Sequence, residues 1–289
     1  MRAVEAGSPR LDVRVMSEAE VALAVEWAAA EGWNPGLCDA EAFRAADPDG
    51  FLMAFLDGQP TAAISVVAYG ETHGFLGFFI VRPELRGRGI GFSLWQAGMA
   101  RLAGRSVGLD GVVDQQANYA RSGFVFRHRN VRYEGPVPRA VEAPDDTRPV
   151  TQDDFERLAH FDAARFGTER PQFLAAWLAA PGHVARIVER PDGASAGYGV
   201  IRPCRVGFKI GPLFAETPEI ASSLFDALVR SVPPDEAVVL DVPEPNGAAV
   251  ALAETRGLAP VFETARMVRG AAPSLPLDEI FGVTSFELG

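Results

Sequence analysis

Only one of the 27 basic residues in this 289-residue chain is a lysine, Lys209. That scarcity excludes a lysine nucleophile unless Lys209 supplies it. The two cysteines, Cys38 and Cys204, lie far apart. They form neither a disulfide framework nor a thiolate cluster, and read as small packed residues. The four histidines, His73, His128, His160 and His183, include no H-x-x-x-H pair, so no metal is expected. No apolar run reaches the ~18 residues of a membrane helix, and Met1 to Leu11 lacks the basic-then-apolar order of a secretory signal. A cytoplasmic protein without a membrane partner is the expectation. The net charge of −11 opposes nucleic-acid binding, which needs phosphates neutralised. It suits a cationic small substrate, and equally a merely solvated surface.

What is present divides the chain. Prolines and charges without apolar periodicity, from Gly135 to Asp146, read as a linker. Length alone favours two domains. Residues 10–135 form one expected domain, 136–147 the linker, 148–270 a second domain, and 271–289 a tail. Within the first, Ser17 followed by Glu20 predicts a helix start. Phe51–Leu56, Asp57-Gly58 and Thr61–Tyr69 predict a hairpin. Phe75–Val81 is nearly all apolar, as a strand buried on both faces should be. Apolar residues at 92, 95, 99 and 102 give the following segment one helical face.

The second half repeats this order of elements. Ser122-Gly123-Phe124 precedes Arg256-Gly257-Leu258 by 134 residues, and at the same offset Arg132 falls on Arg266. Leu109-Asp110 matches Leu240-Asp241 at an offset of 131. The agreement indicates an internal duplication. The tail, Phe281 to Leu288, reads as a last strand that packs on a domain.

The segment Val81-Arg82-Pro83-Glu84-Leu85-Arg86-Gly87-Arg88-Gly89-Ile90-Gly91 carries the chemistry. Pro83 ends the strand, and the glycines lead straight into a helix. The first N–H groups of a helix have no intrahelical partner, and its dipole adds positive charge, so this geometry favours an anion. Arg86 and Arg88 add full charges. Neither G-x-x-x-x-G-K-[ST] nor G-x-G-x-x-G is present.

This segment resembles motif A of the GNAT superfamily of N-acyltransferases, (Arg/Gln)-x-x-Gly-x-(Gly/Ala), with Arg86, Gly89 and Gly91 at its fixed positions. Tyr119-Ala120-Arg121-Ser122-Gly123-Phe124 is similar to the family's Tyr-x-x-x-Gly-Phe ending. Residues 10–135 carry the resemblance best, and the whole chain resembles a bacterial two-domain subgroup. Glu31 to Gly36 and Leu109 to Val112 look typical of that subgroup.

The resemblance implies an α/β fold of two tandem GNAT-like domains, each a mixed, mostly antiparallel twisted sheet flanked by helices. It implies acetyl-CoA as cosubstrate and a primary amine of a small molecule or amino acid as acceptor, and it admits a homodimer. Phe79, Ile80 and Val81 would splay from the neighbouring strand and bind the pantetheine arm. The N–H groups of Arg86, Gly87, Arg88, Gly89, Ile90 and Gly91 would hold the pyrophosphate. A Val81 N–H would polarise the thioester carbonyl, Tyr119 would protonate the leaving thiolate, and Trp33 and Asn34 would wall the acceptor site. The family's usual glutamate on the strand before motif A is missing. Glu71, His73, Asp110 and Asp114 remain as candidate bases, with Asp110 first because it ends a strand whose carboxyl end faces the expected cleft.

The second half departs from the pattern. Ala215-Glu216-Thr217-Pro218-Glu219 replaces the glycine loop, and Ala253 takes the tyrosine position. One coenzyme site, in the first half, is expected. The rival readings are a non-catalytic acyl-CoA sensor and an interaction protein with a vestigial cleft.

Overall fold

The structure is a computed structural model that describes residues 10–137 and 146–289; the start of the chain and most of the expected linker, 138–145, lie outside these. The first half runs β1 (Leu11–Val15), α1 (Glu18–Ala30), α2 (Asp39–Ala46), β2 (Phe51–Leu56), β3 (Gln59–Tyr69), β4 (His73–Val81), α3 (Ile90–Arg101), β5 (Ser106–Val112), α4 (Gln116–Arg121) and β6 (Val125–Pro136). The second runs β7 (Thr147–Pro149), α5 (Phe155–Phe166), α6 (Pro171–Ala179), β8 (Val184–Glu189), β9 (Ser195–Pro203), β10 (Phe208–Ala215), α7 (Pro218–Val229), β11 (Ala237–Pro243), α8 (Gly247–Thr255), β12 (Ala259–Arg269) and β13 (Ile280–Gly282). No helix among the described residues is long and apolar enough to cross a membrane.

Local chemistry sets these elements. The Ser17 N–H donates to Glu20 at 2.8 Å, which fixes the start of α1. Asp57 and Gly58 both take positive φ, 51° and 80°, the two-residue turn whose twist matches a hairpin. On α3, Ile90, Leu94 and Trp95 bury one face against the sheet.

All strands join one mixed sheet in the order β1-β2-β3-β4-β5-β12-β6-β11-β10-β9-β8-β7, with β13 on β10. The halves interlock. β12 of the second half lies between β5 and β6, and β6 of the first lies between β12 and β11. Apolar cores form under α3 and under α7 and α8. A third core joins α1 and α2 to α5 and α6, where Phe43 stacks on Trp177 at 5.9 Å.

The duplication shows in the register. β4 pairs with β5 in parallel only as far as Leu76–Leu109. β10 pairs with β11 only as far as Ile210–Leu240. These are the positions that the offsets of 134 and 131 bring together. Beyond them each strand pair splays into a slot.

The two slots differ in content. In the second half, β13 pairs antiparallel with β10 at Leu213–Gly282 and Phe214–Ile280. The Val283 N–H donates to the Asp241 carbonyl of β11 at 2.9 Å. The tail thus fills that slot. Its expected strand over 281–288 is corrected: only Ile280–Gly282 is strand, and beyond it the chain passes Gly211 of β10 at Thr284 without ladder pairing and reaches Gly77 of β4 at Glu287.

Candidate active site

Beyond Leu76 one edge of β4 is open. Phe78 adopts φ 45°, and the ladder to β3 shifts register between Ala63 and Ser65. Past this bulge the Arg82 N–H donates to the Thr61 carbonyl at 3.0 Å. Arg82–Thr61 is therefore a hydrogen-bonded pair of the antiparallel ladder, and Val81–Ala62 the intervening non-bonded pair. The N–H and C=O of Val81 consequently face the slot. The carbonyl accepts from Arg86 Nε at 2.9 Å.

The loop beyond β4 is shaped for an anion. Gly87 and Gly89 have φ of 77° and 80°, and Gly89 caps α3. The N–H groups of Gly87 to Phe92 find no acceptor among the described residues, and they line an opening of about 520 Å³ with Asn118, Arg121 and Ser122. The Arg86 N–H differs from the expectation, since it is turned back to the Pro83 carbonyl at 3.3 Å. Its guanidinium pairs with Glu31 at 2.5 Å and borders the cavity next door.

That cavity, about 350 Å³, meets the opening at Phe79, Val81, Arg86, Gln115 and Tyr119. Tyr119 of α4 stacks on Trp95 at 5.7 Å. Its burial pushes the phenol pKa up to about 12. Gly111 of β5 lies directly beneath the ring: a Cβ there would stand 2.2 Å from Tyr119 Cε2.

Trp33, Phe78, Phe262 and Phe286 give the cavity aromatic walls. Asn34 is corrected. It does not line the cavity, because its amide is spent bridging the halves, donating to the Val206 carbonyl at 2.9 Å and accepting from the Val206 N–H at 3.0 Å.

Asp110, Glu31 and Glu287 are the carboxylates lining the cavity. Asp110 is unsuited to the role of base. Its oxygens receive Arg266 Nε and Nη2 at 2.8 and 2.7 Å, and Asn130 at 2.8 Å. Glu71, His73 and Asp114 do not line the cavity at all.

Glu287 was not among the residues singled out in the sequence, and no motif marks it. It lies on the buried tail, 4% exposed, and its carboxylate has no hydrogen-bond or ion-pair partner among the described residues. Burial pushes its pKa up, against the pull of nearby Lys209 and Arg132.

Among the described residues of the second half, the turn after β10 is not a glycine loop of free N–H groups. Thr217 caps α7 by accepting from the Ile220 N–H, and Glu216 pairs with Arg190.

Comparison with known proteins finds the same family in both halves. The model of the acetyltransferase (GNAT) family matches residues 16–124, and a further acetyltransferase (GNAT) domain model matches residues 158–282. The holothin acyltransferase of Pseudoalteromonas sp. (strain SANK 73390) is 33% identical over 264 residues, covering 91% of this chain and 90% of that protein. An acetyltransferase candidate from Pyrococcus horikoshii superposes with a TM-score of 0.82 at 21% identity, over 100% of both chains. A tandem GNAT protein from the clavulanic acid biosynthesis pathway gives 0.61 at 15% identity, over 92% of this chain and 100% of that one. At such identities the last two speak for the fold alone.

Proposed function

Because the chain belongs to the GNAT family of acyltransferases, we propose that it moves an acetyl group from acetyl-CoA to a primary amine of a small molecule or amino acid. Residues 10–135 carry the site, residues 148–270 form a degenerate partner domain, and residues 271–289 bind the halves together. The observation that carries this reading is the contrast between the slots. The β4 slot is open and leads from the glycine loop to Tyr119, whereas the β10 slot is filled by the chain's own β13.

The donor supplies an activated thioester, and the protein supplies positions for its parts. Backbone N–H groups of Gly87 to Gly91, with Arg88, hold the pyrophosphate. The edge of Phe79, Ile80 and Val81 takes the pantetheine as an added strand would be taken. The Val81 N–H, aimed into the slot, stabilises the charge that grows on the carbonyl oxygen as the amine adds. Tyr119 is protonated at neutral pH, as a phenol is, and burial, which raises its pKa to about 12, keeps it so; it has a proton to give the leaving sulfur. A cavity of about 350 Å³ with aromatic walls admits a small acceptor, and Trp33 forms part of its wall.

The test is incubation with acetyl-CoA and a library of amines, followed by thiol release and product mass. The relative's name makes holothin one member of that library. Acetylated product is expected. Coenzyme binding without transfer to any amine would instead leave a sensor of acyl-CoA.

A further inference from the structure

We infer that Glu287, delivered by the C-terminal tail into the cavity beside Tyr119, is the base that takes the proton from the acceptor amine. The inference rests on the acyl-transfer reading above.

The first ground is elimination within the cavity. Asp110 is held on both oxygens, and Glu31 is paired with Arg86. Glu287 is buried and unpartnered among the described residues. A buried carboxylate without a partner is costly to keep. An ammonium ion entering the cavity would supply the missing partner.

The second ground is construction. The tail is no loose end: residues 280–289 are buried throughout. The Thr284 hydroxyl accepts from Arg170 at 2.8 Å, and the Ser285 hydroxyl accepts from the Leu288 N–H at 3.1 Å. Phe286 lies under the Arg132 guanidinium at 4.8 Å. On β4, Gly77 lets the tail approach: a Cβ there would stand 2.1 Å from the Glu287 carbonyl oxygen. The strand that lacks an acid of its own thus has one laid against it from the other end of the chain.

The third ground is charge. Lys209 of β10, Arg132 of β6 and Arg202 of β9 act on Glu287 as cations and Asp39 of α2 as an anion, while Asp241 of β11 faces the same three cations. Arg202 is matched to Asp39 and Arg132 to Asp241. Lys209 donates to the Asn34 carbonyl at 3.1 Å and is not part of an ion pair within 4.0 Å among the described residues. Its charge is therefore the one not already matched by a carboxylate, and with Arg132 and Arg202 it favours the ionised form of Glu287 against burial.

The protons balance. An ammonium gives one proton to Glu287. The nitrogen then bonds to the carbonyl carbon as the carbon–sulfur bond breaks, and Tyr119 protonates the departing sulfur. The second nitrogen proton restores the phenol through water, and the proton on Glu287 passes to solvent.

The experiment follows thiol release by the full chain with acetyl-CoA and the best amine of the library, from about pH 5 to 9. Its variants are Glu287→Gln, Glu287→Asp and Lys209→Met, each paired with the thermal shift given by coenzyme A. Glu287→Gln is expected to lose about 10²–10⁴-fold in kcat/KM, to lose the acidic limb of the profile, and to keep its shift with coenzyme A. Glu287→Asp should recover part of the rate, and Lys209→Met should move the acidic limb to higher pH. Wild-type turnover with an unchanged Glu287→Gln profile overturns the role of Glu287 and leaves the acyl-transfer reading intact. If Glu287→Gln does not fold, an acidic limb unmoved in Lys209→Met overturns it. Neither transfer nor a coenzyme A shift in the wild type would overturn both.

Discussion

Asp110 and Arg266 form a two-pronged ion pair across the halves, at 2.7 and 2.8 Å, and the duplication makes it the counterpart of the pair between Asp241 and Arg132 at 2.8 and 2.7 Å. Each aspartate directly follows the last parallel pair on the splitting strand of one half, and each arginine comes from the exchanged strand of the other. The repetition of this contact where one slot is filled assigns Asp110 to the architecture rather than to chemistry.

Breaking that contact should therefore cost stability. The Asp110 side chain is fully buried. Asp110→Asn leaves the largely buried Arg266 without its counter-charge, a loss of about 3–5 kcal/mol for such a pair. Asp110→Leu with Arg266→Met should recover much of this. Denaturant unfolding of the two variants beside the wild type checks both statements.

Gly111 offers a way to disturb Tyr119 without touching its hydroxyl. Gly111→Ala forces the ring from its place on Trp95, since the added Cβ would collide with it. Turnover should fall by about 10²-fold, as for removal of a proton donor by Tyr119→Phe. Calorimetry should find coenzyme A affinity nearly unchanged in Tyr119→Phe.

The pH dependence of stability follows from two half-buried histidines. Burial lowers the pKa of His128 and of His183 from 6.5 to about 4, with Arg266 and Arg202 respectively adding to the effect. Between those values the unfolded chain binds protons that the folded chain does not, so stability falls as pH falls. The thermal midpoint should decline from about pH 6.5 to 4. His183→Phe, which keeps an edge-on ring against Trp177, should flatten that decline.

Much of this was legible in the sequence because its signals are local. The glycine loop sits between an apolar strand and an amphipathic helix within some twenty residues, and Tyr119 follows at the family's spacing. The duplication offsets coincide with the positions at which the strands part. What was not legible depends on partners far along the chain. Asn34 meets Val206, 172 residues away, and Asp110 meets Arg266, 156 residues away. Each amide or carboxylate, read alone, had equal claim to a substrate. Glu287 is the extreme case. Nothing near it in sequence announces chemistry, and its position depends on a tail that first threads the slot of the second half.

The most direct test of a single acyl-CoA site is titration calorimetry of the chain with coenzyme A. One molecule should bind per chain. Gly89→Glu, which places a carboxylate and a strained positive φ in the anion loop, should abolish binding while the protein stays folded. Two molecules per chain, or affinity unchanged in Gly89→Glu, would contradict the assignment of the coenzyme to the open slot of β4.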